Sequence, residues 1–134
     1  MRITVPQPSR ILIVDDNEDG RQLMKELLEE SGFVVSEAGD GGAALELLTA
    51  ELDPALVILD LEMPVMTGAE LLAAMKKHEQ LSRLPVVIVS GSAKSVVPKD
   101  SSVVGVFSKP VVRDDFVAAV RRCVAAAEKR EAPA

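Results

Sequence analysis

Five short apolar runs, rich in β-branched residues, alternate along the chain with longer segments in which apolar residues recur every three or four positions. The runs span residues 10–14, 33–37, 55–60, 85–90 and 103–107. The longer segments predict helices over residues 18–31, 41–51, 67–80 and 112–128. Strands that alternate with helices in this way build a parallel sheet from repeated β-α units. We therefore predict an α/β protein.

The composition of each run indicates where its strand lies in the sheet. The first, third and fourth runs are apolar on both faces, which is typical of central strands that helices cover on each side. Glu37 makes the second run resemble an edge strand. Residues 91–102 contain Pro98, two adjacent valines and four serines, so we expect a short or irregular fourth helix between the last two strands.

The length and charge of the chain limit its class. With 134 residues it has room for one domain, which we place at residues 9–128 between short tails at 1–8 and 129–134. A net charge of −6 repels phosphate backbones and anionic membranes, so neither nucleic acid nor a membrane is an expected partner. The lone Cys123 excludes an internal disulfide and fits a reducing compartment, and the first ten residues lack the apolar run of a secretory signal. We expect a complete, stand-alone cytoplasmic protein.

Polar and charged side chains stand where the predicted strands end. Asp15 and Asp16 follow the first strand, Asp60 ends the third, Ser90 ends the fourth, and Lys109 comes just after the fifth. The carboxyl ends of parallel strands meet at one edge of a sheet, and ligands of open α/β sheets bind there. The sequence therefore predicts that three carboxylates, one hydroxyl and one ammonium group converge on one edge.

Three carboxylates at close range repel one another unless a cation lies between them. All-oxygen ligands suit Mg²⁺ or Mn²⁺, whereas zinc prefers clustered His and Cys, which this chain lacks. The charges of the three acids, one divalent ion and Lys109 sum to zero. A carboxylate in that setting can act as a nucleophile toward a phosphoryl group, and Asp60 is the candidate. Lys109 and the Ser90 hydroxyl would then contact the phosphoryl oxygens.

Taken in order, these segments resemble the receiver domain of two-component response regulators over about positions 9–128. The segments that carry the resemblance are ILIVDDNED, EAGDGGAALELL, VILDLEMPVMTGAELL, IVSGSA and VFSKP. The resemblance implies a flavodoxin-like, doubly wound sheet of five parallel strands in the order 2-1-3-4-5, with helices on both faces. It also implies a signalling protein that is not an enzyme beyond slow reactions on itself.

The resemblance further implies a metal site. Asp16, with help from Asp15, is expected to bind Mg²⁺ together with Asp60, and the backbone carbonyl of Glu62 is expected as a further ligand. Mn²⁺ would suit the same ligands.

The resemblance also assigns roles in phosphoryl transfer. Asp60 is expected to accept a phosphoryl group from a sensor histidine kinase or a histidine phosphotransfer protein. Ser90 follows the transferred group, Lys109 pairs with it, and a cis peptide bond is expected before Pro110. An unknown protein target would read the phosphorylated state.

Two departures from the family pattern concern the output. Val106 stands three residues before the lysine, where the family usually has an aromatic residue, and Phe107 should point to the opposite face of its strand. The interval from Ser90 to Lys109 is also shorter than expected. These departures leave open a receiver-fold binding module that no longer needs phosphate.

An enzyme alternative is a phosphatase of the haloacid dehalogenase type, which also gathers Asp, Ser or Thr and Lys around Mg²⁺. That family needs an Asp-x-Asp motif after the first strand, and residue 17 is Asn here. A further acidic pair is needed at a later strand end, whereas Asp114 and Asp115 open a helix. We therefore rank this alternative low.

Overall fold

The protein is described by a computed structural model that covers residues 9–50, 52–63, 66–91 and 102–131. Its centre is a five-stranded sheet in which every neighbouring pair of strands is parallel, in the order β2-β1-β3-β4-β5. The strands are β1 (Arg10–Val14), β2 (Val34–Ala38), β3 (Leu56–Asp60), β4 (Val86–Ser90) and β5 (Val103–Ser108). The predicted α/β class and strand order are confirmed.

Four α-helices flank the sheet in the described part of the chain. They are α1 (Glu18–Glu30), α2 (Gly41–Thr49), α3 (Gly68–Lys76) and α4 (Arg113–Glu131), with a 3₁₀ turn at Leu81–Arg83. Side chains of α1 and α4 pack on one face of the sheet, and those of α2 and α3 pack on the other. The sheet is therefore doubly wound, as predicted.

The central strands are buried because their side chains alternate between these two layers. In β1, Ile11 and Ile13 pack against α1 and α4, whereas Leu12 and Val14 pack against α2 and α3. All five residues of β3 and of β4 are buried. This double burial explains why these runs carry no alternating polar face.

Local signals mark where the helices begin, at the sheet edge that carries the acids, and where α1 ends, at the opposite edge. The Asn17 side chain caps α1 by accepting a hydrogen bond from the Gly20 N–H, so that this helix begins three residues after Asp15. Thr67 and Glu70 form a reciprocal capping box at the start of α3. Gly32, at φ 95°, ends α1 in the left-handed region that glycine adopts without strain.

Several element bounds differ from the sequence prediction. Strand β2 begins at Val34, because the Phe33 N–H bonds to the Leu28 carbonyl and so belongs to the turn that ends α1. Helix α3 ends at Lys76 instead of residue 80, since the polar residues that follow have no apolar face to bury.

Helix α4 continues to Glu131, into the predicted tail, through alanine, glutamate, lysine and arginine, which favour helix. The irregular helix predicted within residues 91–102 and the predicted tail at 1–8 lie outside the described residues, except for the ends of the former at Gly91 and Ser102.

Candidate functional site

The carboxyl edge of the sheet brings the predicted acids together. Asp15 directly follows β1 and Asp60 ends the neighbouring β3, while Asp16 extends the loop after β1. One carboxylate oxygen from each of these three residues lies within 4.8 Å of the others. Asp16 and Asp60 line a cleft of about 550 Å³ together with Glu62 and Lys109, and Asp15 lies buried behind them. The predicted cluster is therefore present as a single site.

Asp15 is completely buried, and each of its carboxylate oxygens has a donor. The Asn17 N–H donates to Oδ1 over 2.9 Å, and the Lys109 ammonium donates to Oδ2 over 2.7 Å. Its backbone carbonyl accepts a third hydrogen bond, from the Arg21 guanidinium, over 2.7 Å. Asp16, by contrast, is exposed to solvent. Of the two adjacent acids, Asp15 is therefore held in place by hydrogen bonds, whereas Asp16 is in contact with solvent.

Asp60 is 4% exposed at the mouth of the cleft. Its Oδ1 accepts a hydrogen bond from the Glu62 N–H over 3.2 Å, and its Oδ2 lies 3.6 Å from Lys109 Nζ. Burial raises the pKa of Asp60 from 3.8 to about 6, and the Asp15 carboxylate adds to this rise, although the Glu62 N–H and Lys109 oppose it. Burial is thus the main reason why the Asp60 carboxyl group gives up its proton less readily than a free aspartate.

Lys109 is the cation that reaches both buried acids from the loop after β5. Its Nζ is 0.9 Å closer to Asp15 than to Asp60, at 2.7 Å against 3.6 Å. Burial lowers the pKa of Lys109, but hydrogen bonds and charge attraction from the two carboxylates outweigh this effect and raise it above its usual value. The peptide bond to Pro110 is cis, as expected. The ammonium group thus stays charged between the acids.

Ser90 is 8% exposed at the end of β4, on the far side of Asp60 from Asp15. Its hydroxyl donates to Oε1 of Glu62 over 3.1 Å, and its backbone carbonyl accepts a hydrogen bond from the Lys109 N–H over 2.9 Å. The sequence assigned Glu62 a role only through its carbonyl, so this side-chain contact with Ser90 was missed. No pattern in the sequence signals it.

Two further residues that support the site were missed by the sequence prediction. Arg21 donates a hydrogen bond from Nη1 to the Asp15 carbonyl. Gly68 brings α3 so close to β3 that a Cβ atom there would collide with the Asp60 carbonyl and lie 2.8 Å from the Leu61 Cα. Glycine is unfavourable within a helix, so its presence at the start of α3 could have indicated that the backbone there packs closely against another element.

Val106 and Phe107 of β5 point to opposite faces of the sheet, as the alternation of a strand predicts. Val106 is 53% exposed, whereas Phe107 is partly buried and packs edge-to-face on Phe116 of α4, with ring centroids 5.7 Å apart. The aromatic ring near the lysine therefore belongs to the α4 side of the core and not to the exposed face of β5.

Comparison with known proteins identifies the class to which this fold and site belong. The family described as the response regulator receiver domain matches residues 11–121. The chain therefore belongs to the receiver domains of two-component response regulators.

Among curated relatives, the chemotaxis protein CheY of Pseudomonas aeruginosa is 42% identical over 87 residues, which cover 63% of this chain and 68% of that protein. The two-component response regulator ORR11 of Oryza sativa is 41% identical over 83 residues, 62% of this chain and 56% of that protein. The match thus spans little more than half of the rice regulator.

Solved structures agree with the fold. The N-terminal domain of a response regulator/sensory box/GGDEF 3-domain protein from Carboxydothermus hydrogenoformans superposes with a TM-score of 0.79 at 28% identity, over 90% of this chain and 98% of that one. Within the described residues, no helix has the length and apolar character needed to cross a membrane.

Proposed function

We propose that this receiver domain accepts a phosphoryl group on Asp60 from the phosphorylated histidine of a sensor kinase or phosphotransfer protein, and signals through a protein partner. The observation that supports this most strongly is the setting of Asp60. A nearly buried carboxylate stands at the end of a central strand, 3.6 Å from an ammonium group and within 4.8 Å of two other acids. This arrangement suits a nucleophile that attacks an anionic group.

The acids also fit a divalent cation, and we propose Mg²⁺, with Mn²⁺ as a substitute. The donors are all oxygens, and three clustered carboxylates face a single ammonium group, that of Lys109, so a divalent cation would offset the remaining charge. Asp15, Asp16 and Asp60 would hold the ion, with the Glu62 carbonyl as a further ligand. When bound, it would supply positive charge that offsets the acids and the oxygens of the phosphoryl group.

In the transfer itself, an Asp60 oxygen forms a bond to phosphorus as the bond from phosphorus to the donor imidazole nitrogen breaks. The imidazole leaves as a neutral ring when its other nitrogen carries a proton. Lys109 stands beside Oδ2 of Asp60, where its charge offsets that of the phosphoryl oxygens. The product is an acyl phosphate that carries about two negative charges in place of one.

The Ser90 hydroxyl is the group that would respond to phosphorylation of Asp60. In the structure it donates to the Glu62 carboxylate over 3.1 Å. A phosphoryl group on Asp60 would offer three strong acceptors at the same edge, and the hydroxyl can turn to one of them. The movement of Ser90 would carry the change into the connection between β4 and β5.

The test is chemical phosphorylation by acetyl phosphate in the presence of Mg²⁺, followed by intact-mass analysis. We expect one added phosphoryl group on the wild type and none on Asp60→Asn. Asp114→Asn, which removes a carboxyl group that does not line the cleft, should be phosphorylated like the wild type. Phosphate on Asp60→Asn at the wild-type level would contradict the assignment.

Two further measurements separate the alternatives. Membership of the receiver family argues against a haloacid dehalogenase-type phosphatase, which would release phosphate from a phosphomonoester in steady turnover. A phosphate-independent binding module would show no change in amide NMR shifts with Mg²⁺ and beryllofluoride, a mimic of the phosphoryl group. We expect shifts at Asp60, Ser90 and Lys109.

A further inference from the structure

Arg21 joins the acidic loop after β1 to the edge strand β2. From the first turns of α1, its Nη1 donates to the Asp15 carbonyl over 2.7 Å, and its Nε donates to Oε1 of Glu37 over 3.2 Å. The Arg21 side chain is 18% exposed and that of Glu37 is 28% exposed. One guanidinium group thus connects β2 to the backbone of Asp15, the first residue of the acidic loop.

The contact with Asp15 completes the set of bonds that fix this residue. The Asp15 N–H donates to the Ala38 carbonyl over 3.2 Å, and its carboxylate is held by Asn17 and Lys109. The Arg21 bond holds the one remaining polar group, the carbonyl, and with it the peptide plane that leads into Asp16. A charged donor at 2.7 Å makes a stronger bond than a neutral one.

Lys25 provides a matched comparison within the same cluster. It lies one helical turn after Arg21 and donates to the second oxygen of Glu37 over 3.0 Å, with a side chain that is 28% exposed. No hydrogen bond from Lys25 to the acidic loop is described. Both residues therefore pair with Glu37, but of the two only Arg21 is seen to hold Asp15.

We propose that Arg21 is a positioning residue for the divalent cation: anchored by Glu37, it orients the Asp15–Asp16 peptide so that the acids can bind the ion together. This inference rests on the proposed function, which places Mg²⁺ among Asp15, Asp16 and Asp60. Groups that orient metal ligands from outside the coordination sphere commonly contribute about tenfold or more to metal affinity.

The direction in which Mg²⁺ affinity changes when Arg21 is replaced distinguishes a positioning role from a purely electrostatic one. Removal of a positive charge near a cation site strengthens cation binding if geometry is unchanged, because repulsion is relieved. Loss of the bond to Asp15 weakens binding, because the loop must then be ordered when the ion binds. Arg21→Gln removes both, so a weaker affinity reports positioning and a stronger one reports charge alone.

The experiment is a titration of the full chain with MgCl₂, followed by amide NMR shifts and by calorimetry. We expect the Mg²⁺ dissociation constant of Arg21→Gln to rise about tenfold. Lys25→Gln loses a similar charge and the same ion-pair partner, and should bind Mg²⁺ as tightly as the wild type or more so. Arg21→Lys keeps the charge but not the two-pronged donor, and should fall between Arg21→Gln and the wild type.

Several results of these titrations would overturn the positioning role of Arg21. An Arg21→Gln dissociation constant equal to or lower than that of the wild type overturns the proposal, as does an equal loss in Lys25→Gln. If Arg21→Gln does not fold, wild-type affinity in Arg21→Lys overturns it instead. A wild type that binds no Mg²⁺ overturns the proposed metal site as well, whereas a wild type that binds Mg²⁺ beside an unaffected Arg21→Gln overturns only the role of Arg21.

Discussion

Without a divalent cation, the buried carboxylate of Asp60 should destabilise the fold, and Asp60→Asn should therefore be more stable than the wild type. Burial and the Asp15 charge raise the pKa of Asp60 from 3.8 to about 6. The folded protein thus binds a proton more tightly than the unfolded chain does. Stability must then fall as the pH rises from about 4 to about 6, since the folded state loses a proton that it holds more strongly.

A difference of about two pKa units corresponds to an energy on the order of 3 kcal/mol at neutral pH. Asparagine resembles the protonated acid in size and keeps an oxygen for the Glu62 N–H, so the substitution should recover most of this energy. Below pH 4 both side chains are neutral in the folded state, and the gain should vanish. At pH 7 it should be complete.

The measurement is urea unfolding followed by far-ultraviolet circular dichroism, which suits a chain without Trp or Tyr. Wild type and Asp60→Asn are compared in a chelator at pH 7 and near pH 4. Asp16→Asn is the control, because this exposed acid should change stability much less. Addition of Mg²⁺ should stabilise the wild type by mass action and narrow the gap. Equal stability at pH 7, or a gain that persists near pH 4, would refute the reasoning.

Three further substitutions have distinct expected outcomes. Gly68→Ala should lower the free energy of unfolding by about 1–3 kcal/mol, because its Cβ would collide with the Asp60 carbonyl. Gly42→Ala in α2, where a Cβ would meet no backbone atom and only the Asp40 carboxylate, at 3.3 Å, should cost much less in the same urea assay. Ser90→Ala should retain the added mass after acetyl phosphate but lose the NMR shifts in β5, and unchanged shifts would remove Ser90 from the response. Lys109→Met should lower stability in a chelator by about 3 kcal/mol, as expected when a buried acid loses its partner; recovery on addition of Mg²⁺ would support shared charge balance, and no loss in the chelator would contradict it.

The sequence was sufficient to predict the sheet and the residues at its edge because both follow from short-range patterns. Runs such as residues 56–60 are buried on both sides, and the polar residue that ends each run must lie at the carboxyl edge. The order of the strands, which the resemblance to receiver domains implied and the structure shows, then places Asp15 and Asp60 on neighbouring strands. Strand ends are therefore the most informative positions in this chain.

The contacts that complete the site depend on side-chain directions across the fold, and no local pattern records them. Glu62 lies 28 positions before Ser90, and Arg21 lies 16 positions before Glu37, so neither pair belongs to one element. The start of β2 was displaced by one residue because the Phe33 N–H closes the end of α1. Each of these features is decided by packing between elements and not by the propensity of either one.

The strand order also explains how a change of charge on one carboxylate can reach a distant surface. Asp60 ends β3, and two further site residues lie at the ends of the next two strands, Ser90 on β4 and Lys109 after β5. The Lys109 N–H donates a hydrogen bond to the Ser90 carbonyl over 2.9 Å, so the ends of β4 and β5 are linked to each other. A phosphoryl group on Asp60 would attract both side chains at once, toward the same point. The resulting movement is therefore expected at β5, whose exposed Val106 lies three residues before the lysine, and not at β2 on the opposite edge of the sheet. A partner that distinguishes the two states is therefore expected to contact the β5 side of the molecule.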